Sequence, residues 1–275
     1  MTDIEKKAAD LRKKFIKTAS VIEATHIASS LSCIDIITVL FFGGVLRYNP
    51  ANPKDESRDR FILSKGHAAA ALYNALCEAG FFTRGELHTY CKPGSIFGAY
   101  TTAKIPGVEY ATGSLGHGLP LAAGTALSLR LKKSDSLVYV ITGDGECQEG
   151  SVWEAAMSIA HFGLTNLVWI IDYNRLQAIN YTDAVMGLEP LYEKLKAFGF
   201  NAVNADGHSC NELADVLKVD RNRLPEKPLA VIASTVKGKG VSALENAVDS
   251  HVRMLNREGY AAALKEFGIR DGEAT

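Results

Sequence analysis

The sequence predicts an α/β fold in which a parallel sheet carries helices on both faces. Five short apolar runs read as strands and alternate with helical segments. They occupy residues 60–64, 136–142, 166–172, 200–205 and 228–235. The run at 136–142 is apolar at consecutive positions, which is typical of a strand covered on both faces. This alternation favours βαβ units over an antiparallel sheet.

The helices follow from caps and periodicity, taken in chain order. Thr2 and Glu5 form a capping box before a helix whose apolar residues recur on one face. Ser151 and Glu154 form a second capping box, opening a helix that Gly163 closes. The other predicted helices cover residues 33–42, 67–80, 116–131, 189–199, 210–218 and 251–267. Residues 91–112 are predicted to form a long ordered loop, a kind of segment that often carries function.

Composition excludes several classes of protein. Of the 275 residues 47% are hydrophobic and 22% charged, with a net charge of −1, so neither nucleic acid nor an anionic membrane is an expected partner. No apolar run approaches the roughly 20 residues of a membrane span. The charged first residues lack the apolar core of a signal peptide. We therefore expect a cytoplasmic protein.

The stretch VYVITGDGECQEGSVWEAAM places Asp144 between two glycines at the end of a buried strand. Ligands of parallel α/β sheets bind beyond the carboxyl ends of the strands. Asn174 ends the next strand, so carboxylate and amide oxygens can converge on Mg²⁺ shared with a diphosphate. An isolated Gly-Asp-Gly is more often only a tight turn. Gln148 stands where a dinucleotide fingerprint needs glycine, and the chain has no P-loop.

Several segments resemble the thiamine diphosphate enzymes, and transketolases most closely. Besides GDGECQEGSVWEAAM and NLVWIIDYNRLQ, the similar segments are DRFILSKGHAAAALY, PGVEYATGSLGHG, AFGF with ADGH, and KGKGVSALEN with the later His251. The resemblance implies a ketol transferase that uses thiamine diphosphate and Mg²⁺, which Ca²⁺ or Mn²⁺ can replace. The metal ligands it implies are Asp144, Asn174 and the Leu176 carbonyl.

The resemblance also assigns residues to the cofactor and the substrate. The implied cofactor-binding residues are His67, Gly113, Leu115, Gly143, Asp144, Gly145, Glu146, Asn174 and His251. The implied catalytic residues are His26, His67, His251 and His117. Histidine suits proton transfer on sugar hydroxyls because its reference pKa of about 6.5 is near neutral pH. Glu149 matches a buried glutamate that links cofactor sites across the family's dimer, and His208 is expected only to shape a turn.

The likeness covers the family's diphosphate-binding domain alone, as a single domain over residues 1–275. The pyrimidine-binding and C-terminal domains are expected on a partner chain, in a heterotetramer with two copies of each chain. The active site would then lie at the interface between the chains. This sequence alone is expected to show little or no activity.

Two departures from the family concern substrate handling. Gly98-Ala99-Tyr100 stands where transketolases carry Gly-His-Pro. His117 stands where many family members have glutamine. It would serve either as a replacement proton carrier or simply as a hydrogen-bonding residue. Tyr173 replaces the first asparagine of a family pair and leaves the ligand Asn174 in place. These changes favour a non-standard sugar or sugar phosphate as substrate. Two alternatives stay open: another thiamine diphosphate enzyme, such as a 2-oxoacid dehydrogenase component or a deoxyxylulose phosphate synthase, and a non-catalytic subunit.

Overall fold

The computed structural model describes residues 1–269. Its sheet is parallel throughout, with strand order β1-β2-β3-β5-β4. The strands are β1 (Arg60–Leu63), β2 (Val138–Gly143), β3 (Leu167–Tyr173), β4 (Asn201–Asp206) and β5 (Leu229–Ser234). All five predicted strands are present with ends close to those expected. The predicted fold class is confirmed.

The helices of the described chain fill the connections between the strands. They are α1 (Asp3–Ile22), α2 (Ile27–Phe42), α3 (Ala69–Glu78), α4 (Arg84–Leu87), α5 (Gly118–Leu131), α6 (Gly150–His161), α7 (Thr182–Val185), α8 (Leu191–Ala197), α9 (Cys210–Leu217) and α10 (Arg257–Glu266). Three short 3₁₀ turns lie at Gly66–Ala68, Gly145–Gln148 and Val248–Ser250. Residues 91–112 contain no helix or strand, which confirms the predicted loop.

Two apolar cores, one on each face, hold the sheet between helices. Consecutive residues of one strand point into different cores, as Trp169 does on one face and Ile170 on the other. The core around Ile170 includes residues of α1, α2, α3 and α9, and the core around Trp169 includes residues of α5, α6 and α8. This double coverage is the reason why the strands are apolar at consecutive positions.

The start of α1 agrees with its capping box, but α2 begins earlier than predicted. The capping box of Thr2 and Glu5 is present. The second helix begins at Ile27 instead of residue 33, and Ser29, Ser30 and Ser32 are buried inside it. The predicted start of this helix was therefore wrong, because the serines before residue 33 are helical and buried. His26, in the left-handed region at φ 54°, ends the turn that precedes α2.

Two further helix starts differ from the prediction. The helix α6 begins at Gly150, so Ser151 lies inside it and donates a hydrogen bond of 2.8 Å to the Gly116 carbonyl instead of capping. The last helix begins at Arg257 instead of residue 251. His251 consequently lies in a connecting segment, directly after a 3₁₀ turn.

Candidate active site

The carboxyl ends of four neighbouring strands meet at one edge of the sheet. The register pairs Leu63 with Ile141, Gly143 with Asp172, and Tyr173 with Ser234. The segments that leave β1, β2 and β3 therefore emerge side by side and line a cavity of about 230 Å³. Parallel topology predicts a ligand site at this position.

Most residues that the sequence singles out line this cavity. Those in the lining are His67, Leu115, Gly143, Asp144, Gly145, Glu146, Asn174, Leu176 and His251. Gly113, His26 and His117 are not part of the lining. Ser29, Lys65, Gln148 and Gln177 also line it, and sequence reasoning missed them.

Asp144 is a buried carboxylate, and its hydrogen-bond donors are all uncharged. One oxygen accepts from the Gly145 amide at 2.8 Å, and the other accepts from the Arg175 amide at 2.6 Å and the Thr182 hydroxyl at 3.2 Å. Burial raises the pKa of Asp144. No lysine, arginine or histidine of residues 1–269 forms an ion pair with Asp144. Asp144 thus offers negative charge that a bound cation would compensate.

Asn174 and the backbone that follows it bring further oxygen atoms to the same place. Arg175 has a φ of 60°, so the chain turns sharply after Asn174. The Asn174 amide group donates to Ser32 at 3.0 Å, and its Oδ1 accepts from the Leu176 amide at 3.0 Å. The buried Oε1 of Gln177 has no hydrogen-bond partner among the described residues. Oxygen atoms of this kind are the ligands that Mg²⁺ and Ca²⁺ prefer.

The Lys237 side chain packs behind the wall of the cavity that Leu176 and Gln177 form. Its ammonium group lies 3.1 Å from the Leu176 carbonyl, 3.2 Å from the Gln177 carbonyl and 3.2 Å from Nδ1 of His251. Burial and the nearby positive charge of Lys65 lower the pKa of Lys237 to about 8. Lys237 is therefore a buried cation in contact with two segments that line the cavity.

A fully buried ion pair forms the base of the site. Lys65 pairs with Asp172, and Asp172 also accepts hydrogen bonds from the hydroxyls of Ser32, at 2.8 Å, and Thr235. Burial is the largest influence and lowers the pKa of Lys65, but the attraction of Asp172 and of other nearby groups together outweighs it and raises the pKa to about 12. The only sequence signal for this pair was a lysine two residues after β1 and an aspartate inside the apolar strand β3.

Glu146 connects the glycine-rich loop before α5 to the end of β2. Its carboxylate accepts hydrogen bonds from the Ser64 hydroxyl, from the Gly116 amide at 2.9 Å and from the Gly143 amide at 3.0 Å. Burial raises the pKa of Glu146. Glu146 lines the cavity and is held by these three hydrogen bonds. These contacts make it a brace of the cavity wall.

Three histidines cluster at the other side of the cavity. The ring centroids of His26, His67 and His251 lie 5.0 to 5.4 Å apart. Burial, followed by the positive charges of Lys65 and Lys237, lowers the pKa of all three imidazoles, and that of His251 falls to about 3. They are therefore neutral at neutral pH, and as neutral imidazoles they can form hydrogen bonds with a ligand.

The loop over residues 91–112 brings Tyr100 to this cluster. The Tyr100 ring lies 6.0 Å from the His26 ring, and 45% of the residue is exposed. Its carbonyl accepts a hydrogen bond of 2.8 Å from Tyr73, which fixes the backbone. The ring packs on Gly113, where an added Cβ would lie 2.9 Å from it. Ala99, the position of the expected histidine, packs against the apolar core instead.

His117 and Glu149 lie at the surface of the chain beside the cavity. His117 is exposed, and its Nδ1 lies 3.2 Å from the Leu115 carbonyl oxygen. The structure does not bring His117 together with the other three histidines. Glu149 lines the cavity but is exposed in this chain, whereas the resemblance implied a buried glutamate. Gly116 packs on it so closely that an added Cβ would lie 2.7 Å from the Glu149 Cβ.

The donor set at this edge contains few of the side chains that ligate transition metals. Among residues 1–269, no group of three or more histidine, cysteine, aspartate or glutamate residues is arranged to hold a metal. The oxygen atoms near Asp144 come instead from one carboxylate, one amide and the backbone.

Within residues 1–269, no helix is long and apolar enough to cross a membrane.

The fold and the cavity define an α/β cofactor-binding domain. Residues 5–274 match the family profile described as "Transketolase, thiamine diphosphate binding domain". The chain therefore belongs to the transketolase family.

Relatives of similar length are described as subunits. The chain is 39% identical to an apulose-4-phosphate transketolase subunit of Phocaeicola vulgatus, over 94% of this chain and 92% of that protein. It is 35% identical to the 6-deoxy-6-sulfo-D-fructose transketolase subunit SqwG of a Clostridium species, over 96% of each.

Longer relatives are matched over less than half their length. Human transketolase is 36% identical over 94% of this chain but 41% of its own length. The transketolase structure from Campylobacter jejuni superimposes with a TM-score of 0.91 at 28% identity, covering 99% of this chain and 44% of that one. These matches favour the transketolase interpretation over the other thiamine diphosphate classes.

Proposed function

We propose that this chain is the diphosphate-binding subunit of a two-chain transketolase. The enzyme transfers a two-carbon ketol unit from a ketose donor to an aldose acceptor by means of thiamine diphosphate. The observation that carries the proposal is Asp144, a buried carboxylate without a cationic partner among the described residues, at the carboxyl end of β2 in a thiamine diphosphate-binding domain. Residues 1–275 serve as one diphosphate-binding domain.

The oxygen atoms around Asp144 fit a hard divalent cation. Asp144, the Asn174 amide oxygen and the Leu176 carbonyl supply three protein ligands, with Mg²⁺ as the expected metal and Ca²⁺ or Mn²⁺ as substitutes. The unpartnered Oε1 of Gln177 supports a ligand with cationic or donor groups at this wall. Magnesium commonly shares phosphate oxygens with its protein site, so the same cation holds the diphosphate.

The other cavity residues suit the rest of the diphosphate group. Gly145 approaches Gln177 so closely that an added Cβ would lie 2.9 Å from the Gln177 Cβ, and a side chain there would narrow the cavity. Lys65 and Lys237 are buried cations at the base and the wall, and they favour an anion nearby. His67, Gly113, Leu115, Gly143 and His251 complete the proposed cofactor-binding residues, and Glu146 braces them.

The histidines handle protons at the reacting end of the cavity. Thiamine diphosphate, when bound, supplies the carbon nucleophile and the electron sink. His26, His67 and His251 are neutral imidazoles that can hydrogen-bond to sugar hydroxyls, and a bound anionic cofactor would raise their pKa values toward the range needed for proton transfer. Tyr100 presents its ring and phenol beside His26, where the usual histidine is replaced by Ala99. His117 stays a candidate proton carrier only if a partner covers it.

A partner chain is proposed to complete the site. Two relatives that match this chain over almost their whole length are named as subunits. We assign the pyrimidine-binding and C-terminal domains to a second chain, in a heterotetramer with two copies of each. Glu149, exposed beside the cavity, becomes buried when that chain docks. The substrate is a non-standard sugar or sugar phosphate, as the relatives' names and the changed loop at Ala99 suggest.

The test is reconstitution with the product of the neighbouring gene. The two chains are purified together and assayed for ketol transfer with thiamine diphosphate and Mg²⁺ on a panel of donor and acceptor sugars. Turnover that needs both chains and disappears in Asp144→Ala supports the proposal. If the complex forms but neither binds thiamine diphosphate nor gains stability from it with Mg²⁺, the proposal is wrong. Full activity on ordinary xylulose and ribose phosphates would contradict the unusual substrate.

A further inference from the structure

The segment that carries Lys237 is tied to the rest of the molecule at nearly every residue. We define residues 235–239 as the Lys237 segment. The Thr235 hydroxyl donates to Asp172, and the Gly238 amide donates to the Ala28 carbonyl at 3.0 Å. The Lys239 carbonyl accepts from Arg12 at 2.8 Å. These contacts fix the backbone on both sides of the Lys237 side chain.

His208 supplies the contact next to Lys237. It lies two residues after the end of β4, in the connection to α9. Its Nε2 accepts a hydrogen bond of 2.8 Å from the Val236 amide. A ring nitrogen that accepts from a backbone N–H carries no proton, so the imidazole proton sits on Nδ1 in the neutral ring. Nδ1 then donates to Asp35 at 2.7 Å.

Asp35 fixes the His208 ring in turn. The carboxylate of Asp35 pairs with Arg12, which also donates to the Leu31 carbonyl at 2.9 Å. The side chains of Arg12, Asp35 and His208 are 9%, 8% and 15% exposed. The chain of contacts therefore runs through the protein interior from α1 and α2 to the Lys237 segment. None of the three residues lines the cavity.

We infer that His208 is a positioning residue for the cofactor site. Through Val236 it holds Lys237 where the ammonium group reaches the Leu176 and Gln177 carbonyls. Those carbonyls belong to the wall on which the proposed metal and diphosphate lie. Loss of the Nε2 acceptor leaves the half-buried Val236 amide without its hydrogen-bond partner and releases this end of the segment. The expected loss of affinity for thiamine diphosphate rests on the proposed function. The expected loss of the hydrogen bond to the Val236 amide does not.

Two variants separate the two hydrogen bonds of the ring. His208→Leu removes both hydrogen bonds at similar volume, and His208→Gln keeps an acceptor oxygen at a reach similar to that of Nε2. Tyr139→Phe is the matched control, because it removes one buried hydrogen bond, 3.1 Å long, to the Leu217 carbonyl on the same face of the sheet and away from the cavity. Hydrogen exchange of the Val236 amide is measured in the full chain. The dissociation constant for thiamine diphosphate with Mg²⁺ is measured in the complex.

In His208→Leu we expect faster exchange at Val236 and a dissociation constant raised about tenfold. His208→Gln and Tyr139→Phe stay within about threefold of wild type and keep the Val236 amide protected. Wild-type affinity in His208→Leu would overturn the inference. So would equal losses in the Leu and Gln variants, since the effect would then come from Asp35 and not from Val236. A wild-type complex that binds no thiamine diphosphate refutes the proposed function, while protection of Val236 still decides the role of His208.

Discussion

Two buried aspartates stand at opposite ends of the sheet, and their surroundings differ. Asp59 precedes β1 at the amino end, and its carboxylate accepts two hydrogen bonds, of 2.7 and 2.6 Å, from the guanidinium of Arg221. The amides of Arg47 and Leu137 donate to it as well, at 2.7 and 2.8 Å. Asp144 follows β2 at the carboxyl end, and within residues 1–269 its carboxylate accepts hydrogen bonds from two backbone amides and one hydroxyl.

This difference distinguishes the Asp59 carboxylate, which stabilises the fold, from the Asp144 carboxylate, which is available to a ligand. A buried carboxylate with an arginine fork is compensated inside the chain and needs nothing else. A buried carboxylate with neutral donors keeps an unfavourable charge, and burial raises the pKa of Asp144 accordingly. Among residues 1–269, the buried carboxylates without an ion-pair partner are Asp144 and Glu146, and both lie at the end of the sheet where the cavity is. A buried carboxylate without an ion-pair partner is therefore the clearest mark of the site.

The largest expected effect comes from removing the charge at each end in turn. Asp144→Asn is expected to abolish the stabilisation by thiamine diphosphate and Mg²⁺, and to leave the unliganded chain as stable as wild type or more so, because a costly charge is lost. Asp59→Asn is expected to lower the free energy of unfolding by about 3 kcal/mol, since Arg221 loses its partner, and to keep cofactor binding. Chemical unfolding and thermal shifts with and without the cofactor measure both.

The two variants serve as controls for each other, since the substitution is the same. The comparison fails if Asp144→Asn destabilises the unliganded chain as much as Asp59→Asn does. It also fails if Asp59→Asn loses cofactor binding while remaining folded.

A second pair of variants makes the same contrast within the cavity. Lys65→Met leaves Asp172 buried without its cation and is expected to cost about 3 kcal/mol of stability. Lys237 forms no ion pair with a carboxylate in the described chain, so Lys237→Met should change stability by less than about 1 kcal/mol. It should weaken thiamine diphosphate binding about tenfold, since a cation near the diphosphate is lost. Equal stabilities of the two variants, measured by denaturant unfolding, would contradict the distinction.

Sequence periodicity was enough for the sheet, because strands covered on both faces are apolar at consecutive positions. It also located Asp144 and Asn174, since the ends of parallel strands meet at one edge. Sequence periodicity failed where side chains form hydrogen bonds with residues far away in the sequence. Ser151 looked like a helix cap, but its hydroxyl donates to Gly116 in a distant loop.

The missed residues share a physical cause. Lysine is ordinarily a surface residue, so the sequence did not single out Lys65 and Lys237, and only the fold shows that both are buried. The contact between His208 and Val236 joins the connections after two strands that are neighbours in the sheet and apart in the sequence. No local pattern reports such contacts, because they depend on strand order, which the sequence alone did not fix.

The histidine cluster predicts a pH dependence of stability with a definite sign. Burial and Lys237 lower the pKa of His251 in the folded chain from 6.5 to about 3. Between these values the unfolded chain binds the proton and the folded chain does not, so stability falls as the pH drops below about 6.5. His251→Gln removes this contribution to the pH dependence of stability. The variant should gain stability relative to wild type as the pH is lowered from about 7.5 to 5.

The matched comparison cancels groups that act in the opposite direction. The pKa values of Asp144 and Glu146 are raised by burial, so their protonation favours the folded chain on acidification. Both carboxylates are present in wild type and in His251→Gln, and the difference between the two proteins isolates His251. Unfolding curves measured across this range test the sign. Parallel stability profiles would show that His251 titrates normally in the folded chain.

The smallest expected effect distinguishes two tyrosines, one near each end of the sheet. Tyr48 lies beside Asp59 and stacks on Phe81, with ring centroids 5.7 Å apart, whereas Tyr100 lies beside His26 at the cavity. In the reconstituted complex, Tyr100→Phe is expected to lower kcat/KM for ketol transfer about fivefold, the worth of one hydrogen bond to the sugar. Tyr48→Phe should leave kcat/KM within about twofold of wild type. If the two variants behave alike while both bind the partner normally, the phenol of Tyr100 makes no contact with the substrate. In that case Tyr100 does not take over the role of the histidine that Ala99 replaces.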